Sequence, residues 1–278
     1  MFETVPTALG EIAAHITGPD PATAPNLILL HANPGDHRDF DSVVAELADT
    51  WAIAAIDWPG YGRSTVTDPR AVSAAGLAEA AVTVWDALAA NGFHRPIVLG
   101  NSVGGYAAIR LAQRRPNDVA AVVLVQSAGL SPNTVMTRSM FRIMGNRRVA
   151  RAVVAPLARA YLGPPKRGGT QAVYDRARQI PMDPARLDVY RSVWHSFADP
   201  RLDLRAQDPA LPHVPVQVVW GRYDPVNPWP INRRGIARVL PHAEVHVLPT
   251  RHEPFCERPE LFLDTVTPFL ARHAGMAA

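Results

Sequence analysis

Gly100-Asn101-Ser102-Val103-Gly104 stands between an apolar run ending at Leu99 and a helix-like stretch that starts near Val103 and is closed by Pro116. A G-x-S-x-G run in that setting reads as a strand turning sharply into a helix. Such a turn presses backbone against backbone, so glycine is needed on both sides, and the serine hydroxyl is pushed out over the strand end. Outward from it, short apolar runs alternate with helix-like stretches, the pattern of strands joined by helical crossovers into a parallel sheet. Upstream lie strand candidates at 26–30, 52–56 and 96–99, with helices over 39–49 and 72–91; downstream a strand spans 119–125. The 72–91 helix puts Leu77, Ala81, Val84, Trp85 and Leu88 on one face and stops at Gly92. Residues 2–17 precede the series and predict an antiparallel edge.

The rhythm breaks after Gly129. Helical, arginine-rich text punctuated by Gly163-Pro164-Pro165 and Gly168-Gly169 runs to Asp208. It predicts an insertion over 130–208 that divides a core of 1–129 and 209–278. The alternation then resumes, with strands at 216–220 and 244–248 and helices at 231–240 and 259–273.

Of the 278 residues, 47% are hydrophobic and 19% charged, which excludes a disordered, collagenous or coiled-coil chain. The longest charge-free run, 119–137, is interrupted by Gln126, Pro132 and Asn133 and does not predict a membrane span. The first residues lack a basic segment followed by an apolar run, so a cytoplasmic protein is expected. The single cysteine, Cys256, excludes an internal disulfide framework. A formal net charge of +3 hides an asymmetry: residues 130–205 carry 13 Arg and one Lys against five Asp. Those arginines have neither zinc-ligand spacing nor interleaved aromatics for base stacking, so nucleic acid is not expected as a partner. Overhanging a site, they predict attraction of anionic esters or acyl thioesters.

A serine hydroxyl is a weak nucleophile, and needs a base within reach and a third group to hold that base in the right tautomer. Asp224, in Gly221-Arg222-Tyr223-Asp224-Pro225, follows one strand, and His252, in Thr250-Arg251-His252-Glu253-Pro254, follows the next. Parallel strands end at one sheet edge, so Ser102, Asp224 and His252 are expected to converge there. Oxyanion donors are expected from the Val103 N–H at the helix start and the Asn33 N–H in His31-Ala32-Asn33-Pro34-Gly35; Pro34 has no N–H to offer.

Taken with DWPGYGRS at 57–64, GNSVGG at 100–105 and HEPFCERP at 252–259, these runs resemble the α/β-hydrolase superfamily over nearly the whole chain outside the insertion. The resemblance implies an eight-stranded, mostly parallel sheet flanked by helices, with a helical cap inserted after the sixth strand. It implies no metal and no organic cofactor. HANP is similar to the HGNP loop of haloalkane dehalogenases and epoxide hydrolases, which use Asp where this chain has Ser102; Ala32 stands where the family usually has Gly. GNSVGG is similar to the turn of meta-cleavage-product C–C hydrolases, whose tryptophan after the histidine is replaced by Glu253. A carboxylester hydrolase with an acyl-enzyme is therefore expected. A C–C bond hydrolase and a small-molecule receptor on the same scaffold are the alternatives.

Met136, Met140 and Met144 recur every four residues and, with Trp194, are the expected pocket lining above Ser102, suited to a flexible apolar group. His31 is expected to be a buried histidine bonded to backbone, and Asp57 a carboxylate that braces its loop.

Overall fold

The computed structural model describes residues 2–163, 169–206 and 210–274. Eight strands form one sheet in the order β1-β2-β4-β3-β5-β6-β7-β8. β1 (Phe2–Thr7) and β2 (Gly10–Thr17) form a hairpin, and β2 pairs antiparallel with β4. All later neighbours are parallel. β3 (Asn26–Leu30) is followed by α1 (Asp41–Leu47), β4 (Ala52–Ile56), α2 (Ala74–Ala90), β5 (Ile97–Asn101), α3 (Val103–Arg114) and β6 (Ala121–Val125).

Every residue of β3 to β6 is buried, which is why these strands read as unbroken apolar runs instead of alternating ones. Successive side chains still part to opposite faces. Ile28, Leu30, Ala54, Ile56, Val98 and Leu124 pack with α2 and α3, while Leu27, Leu29, Ile53, Leu99 and Val123 pack with Phe40, Phe262 and Phe269 on the other side.

Between β6 and β7 the chain passes through α4 (Val135–Met144), α5 (Arg147–Leu162), α6 (Thr170–Ala177) and α7 (Pro184–Ser196). It then returns to β7 (Val216–Gly221), α8 (Trp229–Val239), β8 (Glu244–Leu248), α9 (Pro254–Glu257) and α10 (Pro259–His273). The expected insertion boundary at 208 and the Pro164–Gly168 punctuation lie outside the described residues. Among the described residues no helix is long and apolar enough to cross a membrane.

The connection from β3 leaves toward β4 on one side, and the chain later re-enters beside β3 as β5. The strand order therefore reverses between these two, and the crevice beyond their C-terminal ends is where open α/β sheets bind ligands. Asn33 follows β3 and Ser102 follows β5. Several boundaries differ from the sequence expectation by one or two residues, among them β6, which begins at Ala121 and not at 119, and α8, which begins at Trp229 and not at 231; two of the differences have a local cause. α2 begins at Ala74, because the Ser73 side chain caps it by accepting from Gly76 N–H at 3.1 Å. β5 runs on to Asn101, because its pairing with β6 continues to Val125.

Candidate active site

Ser102 sits at the N-cap of α3 with φ +55° and ψ −114°, a conformation that non-glycine residues rarely adopt. The glycines around it make that turn possible. A Cβ on Gly104 would lie 2.1 Å from the Leu30 carbonyl oxygen, and one on Gly100 would lie 2.3 Å from the Gly104 carbonyl oxygen. The Val103 N–H has no earlier carbonyl in its own helix to bond. Among the described residues, the Asn33 N–H likewise has no backbone acceptor. Asn33, Ser102 and Val103 line one cavity.

Two further loops are tied to this turn. Asp224 and His252 are each 3% exposed, and His252 Nδ1 lies 2.7 Å from Asp224 Oδ2. The second carboxylate oxygen accepts from Val226 N–H at 2.7 Å. The His252 backbone is held on both sides: its N–H donates to the Tyr161 carbonyl at 3.1 Å, and its carbonyl accepts from Asn101 Nδ2 at 3.1 Å. Asn101 is the residue before Ser102 and also donates to the Val125 carbonyl, so one side chain links the serine turn, β6 and the histidine loop. The Tyr161 ring meets the imidazole edge-on with centroids 5.3 Å apart. Among the described residues the Ser102 hydroxyl makes no hydrogen bond, to His252 or to any other group.

Trp194 lines the cavity together with Phe141, Val193, Phe197, Leu202 and Val226. Met136 and Met140 are placed differently from the sequence expectation: they are 78% and 42% exposed, and Met144 is half-buried without lining the cavity. The four-residue spacing marks a helix stripe but not the direction it faces. In α4 the inward stripe is Thr137, Phe141 and Met144, because Phe141 packs on Trp194 and Phe197, with centroids 6.2 and 5.8 Å away.

Around the site, His31 is fully buried. Its Nε2 accepts from Trp58 N–H at 2.8 Å and its Nδ1 donates to the Ala32 carbonyl at 2.6 Å, so the ring is the neutral Nδ1–H tautomer. Burial lowers its pKa accordingly. Asp57 braces its loop by accepting from His37 N–H and Nδ1 on one oxygen and from Arg63 N–H and His15 Nε2 on the other, at 2.8–2.9 Å. Sequence reasoning missed the His15–His37 stack, with centroids 3.4 Å apart. Parallel rings that close aim their lone pairs alongside one another and not at a common point, so the cluster of His15, His37 and Asp57 is poorly shaped for a metal ion. Glu253, beside His252, is buried with no hydrogen-bond partner for either oxygen among the described residues, and burial, then Asp39, pushes its pKa well above the ordinary value. Asp39 itself is pushed up to about 7 by burial, against the pull of the Arg176 guanidinium bonded to it.

The sequence profile of the alpha/beta hydrolase fold matches residues 25–259, and the chain belongs to this family. A pimeloyl-[acyl-carrier protein] methyl ester esterase of Neisseria meningitidis is 31% identical over 107 residues; the match spans 38% of this chain and 38% of that protein's length. Among solved structures, an esterase from Thermogutta terrifontis, with malate bound, superposes with a TM-score of 0.78 at 22% identity, covering 99% of each chain. An N-acyl homoserine lactonase, AidH, superposes with a TM-score of 0.74 at 21% identity, covering 100% of this chain and 98% of the other.

Proposed function

We propose that the protein is a serine hydrolase that cleaves a small or medium carboxylic ester through an acyl-enzyme, with Ser102, His252 and Asp224 as its triad. The observation that carries this reading is the buried 2.7 Å contact between His252 Nδ1 and Asp224 beside a serine held at positive φ on a strand-to-helix turn. With Nδ1–H committed to the carboxylate, the Nε2 lone pair is left to accept the Ser102 proton as Oγ bonds to the ester carbonyl carbon. The N–H groups of Val103 and Asn33 hold the oxyanion, and the imidazolium returns its proton to the departing alkoxide. Water, deprotonated in turn by His252, then releases the acid and restores the serine.

Helices α4 to α7 serve as the cap in this reading, since Phe141 of α4, Val193 and Trp194 of α7 and Phe197 just after it line the same cavity as Ser102. Among the described residues the cavity wall has no charged side chain. Several arginines of the same segment are paired with acids, among them Arg191 with Asp188 at 2.7 Å and Arg201 with Asp199 at 2.6 Å. The reading accordingly takes a substrate that is neutral where it meets the cavity. The test is a panel of p-nitrophenyl esters of increasing acyl length. Saturable turnover with an optimum at short or medium chains, lost in Ser102→Ala, supports it; turnover unchanged in Ser102→Ala overturns it.

A further inference from the structure

Building on the hydrolase reading above, we infer that Tyr61 is a positioning residue for the oxyanion site: its hydroxyl and the Tyr190 carbonyl of α7 hold the Asn33 side chain from both ends, and this tether fixes the direction of the Asn33 N–H. An oxyanion donor is effective only when its N–H already points to where the charge will develop, to within about 0.5 Å. Asn33 lines the same cavity as Ser102, and among the described residues its N–H has no backbone acceptor. What holds that N–H in place therefore bears directly on the rate.

The loop after β3 is anchored at its two ends. His31 accepts from Trp58 N–H on Nε2 and from Trp58 Nε1 on its carbonyl, each at 2.8 Å. Asp36 N–H donates to Asp39 Oδ2 at 3.1 Å, and the Asp36 carboxylate accepts from the Arg38 guanidinium at 2.6 and 2.9 Å. Of the residues between, Ala32, Pro34 and Gly35 have no polar side chain, so Asn33 is the one that can tie the span by its side chain. It does so twice. Nδ2 donates to the Tyr190 carbonyl at 3.0 Å, and Oδ1 accepts from the Tyr61 hydroxyl at 2.8 Å. A carbonyl can only accept, which fixes the orientation of the amide and obliges the phenol to donate.

Tyr61 is buried and, among the described residues, is not part of the cavity wall, so its route to the reacting atoms runs through Asn33. Burial pushes its phenol well above the ordinary value, which keeps the proton in place for Asn33. Its ring meets His31 edge-on with centroids 5.9 Å apart, a contact that a phenylalanine retains. Tyr190 is buried on α7, which also gives Val193 and Trp194 to the cavity wall, so the helix that shapes the cavity holds the other end of the tether. With one bond gone, the side chain is free to turn at that end, and the peptide plane carrying the Asn33 N–H gains freedom.

The test compares wild type, Tyr61→Phe, Asn33→Leu and the double variant on one p-nitrophenyl ester, with kcat taken per Ser102 labelled exhaustively by an alkyl fluorophosphonate. Tyr61→Phe is expected to lower kcat by about ten- to a hundredfold, with KM changed by less than about twofold. A trifluoromethyl ketone, which Ser102 converts into a tetrahedral oxyanion, loses affinity by the same factor, while the matching carbinol, which fills the cavity without forming an oxyanion, binds as before. Because Tyr61 acts through Asn33, its substitution lowers kcat no further in the Asn33→Leu background. The inference is overturned if Tyr61→Phe keeps the wild-type kcat, if the carbinol weakens as much as the ketone, or if the Tyr61→Phe factor persists in Asn33→Leu. Should Asn33→Leu not fold, the ketone-to-carbinol ratio in Tyr61→Phe decides alone. Failure of the hydrolase reading looks different, since wild-type protein then neither turns over the ester nor prefers the ketone to the carbinol.

Discussion

Asp224 and His252, 28 positions apart in sequence, meet at 2.7 Å with both side chains buried at the end of the sheet. In the proposed triad, replacing Asp224 by Asn keeps an oxygen for the Val226 N–H but removes the charge that would stabilise the imidazolium and select its tautomer. Asp224→Asn is expected to lower kcat by about 10³- to 10⁴-fold, with KM for a p-nitrophenyl ester changed far less. Steady-state kinetics on the two proteins checks this; equal kcat values contradict it.

Gly104 separates the serine helix from the end of β3. A side-chain methyl there meets the Leu30 carbonyl 2.1 Å away, and neither partner is a flexible side-chain end that can yield. Gly104→Ala is expected to cost about 3 kcal/mol or more, read as a lowered urea midpoint with activity lost in proportion.

Asp57 has four donors on its carboxylate. Burial alone raises its pKa, but the bonds from His37 and Arg63 outweigh that and hold it well below the ordinary carboxylate range. A depressed folded-state pKa contributes stability that is present above the unfolded value of about 3.9 and is lost as pH falls through the folded one. Asp57→Asn turns an amide group toward buried N–H donors, and is expected to cost about 2–4 kcal/mol at neutral pH, with the gap narrowing in acid. Urea melts at several pH values read both effects.

Glu253 works in the opposite sense. Burial raises its pKa in the folded protein, so its proton is retained there after the unfolded chain has lost it. That contribution is complete below the unfolded value of about 4.3 and is lost as pH rises toward and through the folded one. Glu253→Gln keeps the shape without a titrating proton. The two proteins are expected to melt alike near pH 4, and the variant's urea midpoint to exceed the wild type's increasingly as pH rises. A gap independent of pH contradicts the assignment.

Much of this architecture was legible because fully buried parallel strands cannot tolerate charge. The runs at 26–30 and 52–56 therefore coincide with β3 and β4 to the residue, while 244–248 coincides with β8, an edge strand that is largely exposed and carries Glu244. The proximity of Asp224 and His252 was legible for a topological reason, since each follows a parallel strand and such strands end on one edge. The cavity wall was not. Helical spacing grouped Met136, Met140 and Met144 but could not say that Phe141, anchored by Trp194 and Phe197, turns the stripe with Thr137 inward. Nor could local patterns reveal that His15 and His37, 42 and 20 positions from Asp57, share its carboxylate.

The most direct measurement of the central claim is peptide mapping by mass spectrometry after treatment with an alkyl fluorophosphonate, which traps a serine only when a neighbouring base has made it nucleophilic. The account predicts one stoichiometric phosphonyl adduct, on Ser102, formed in step with loss of esterase activity. Full loss of activity with the adduct on another residue, or ester turnover that persists with Ser102 unmodified by a reagent in excess, contradicts it.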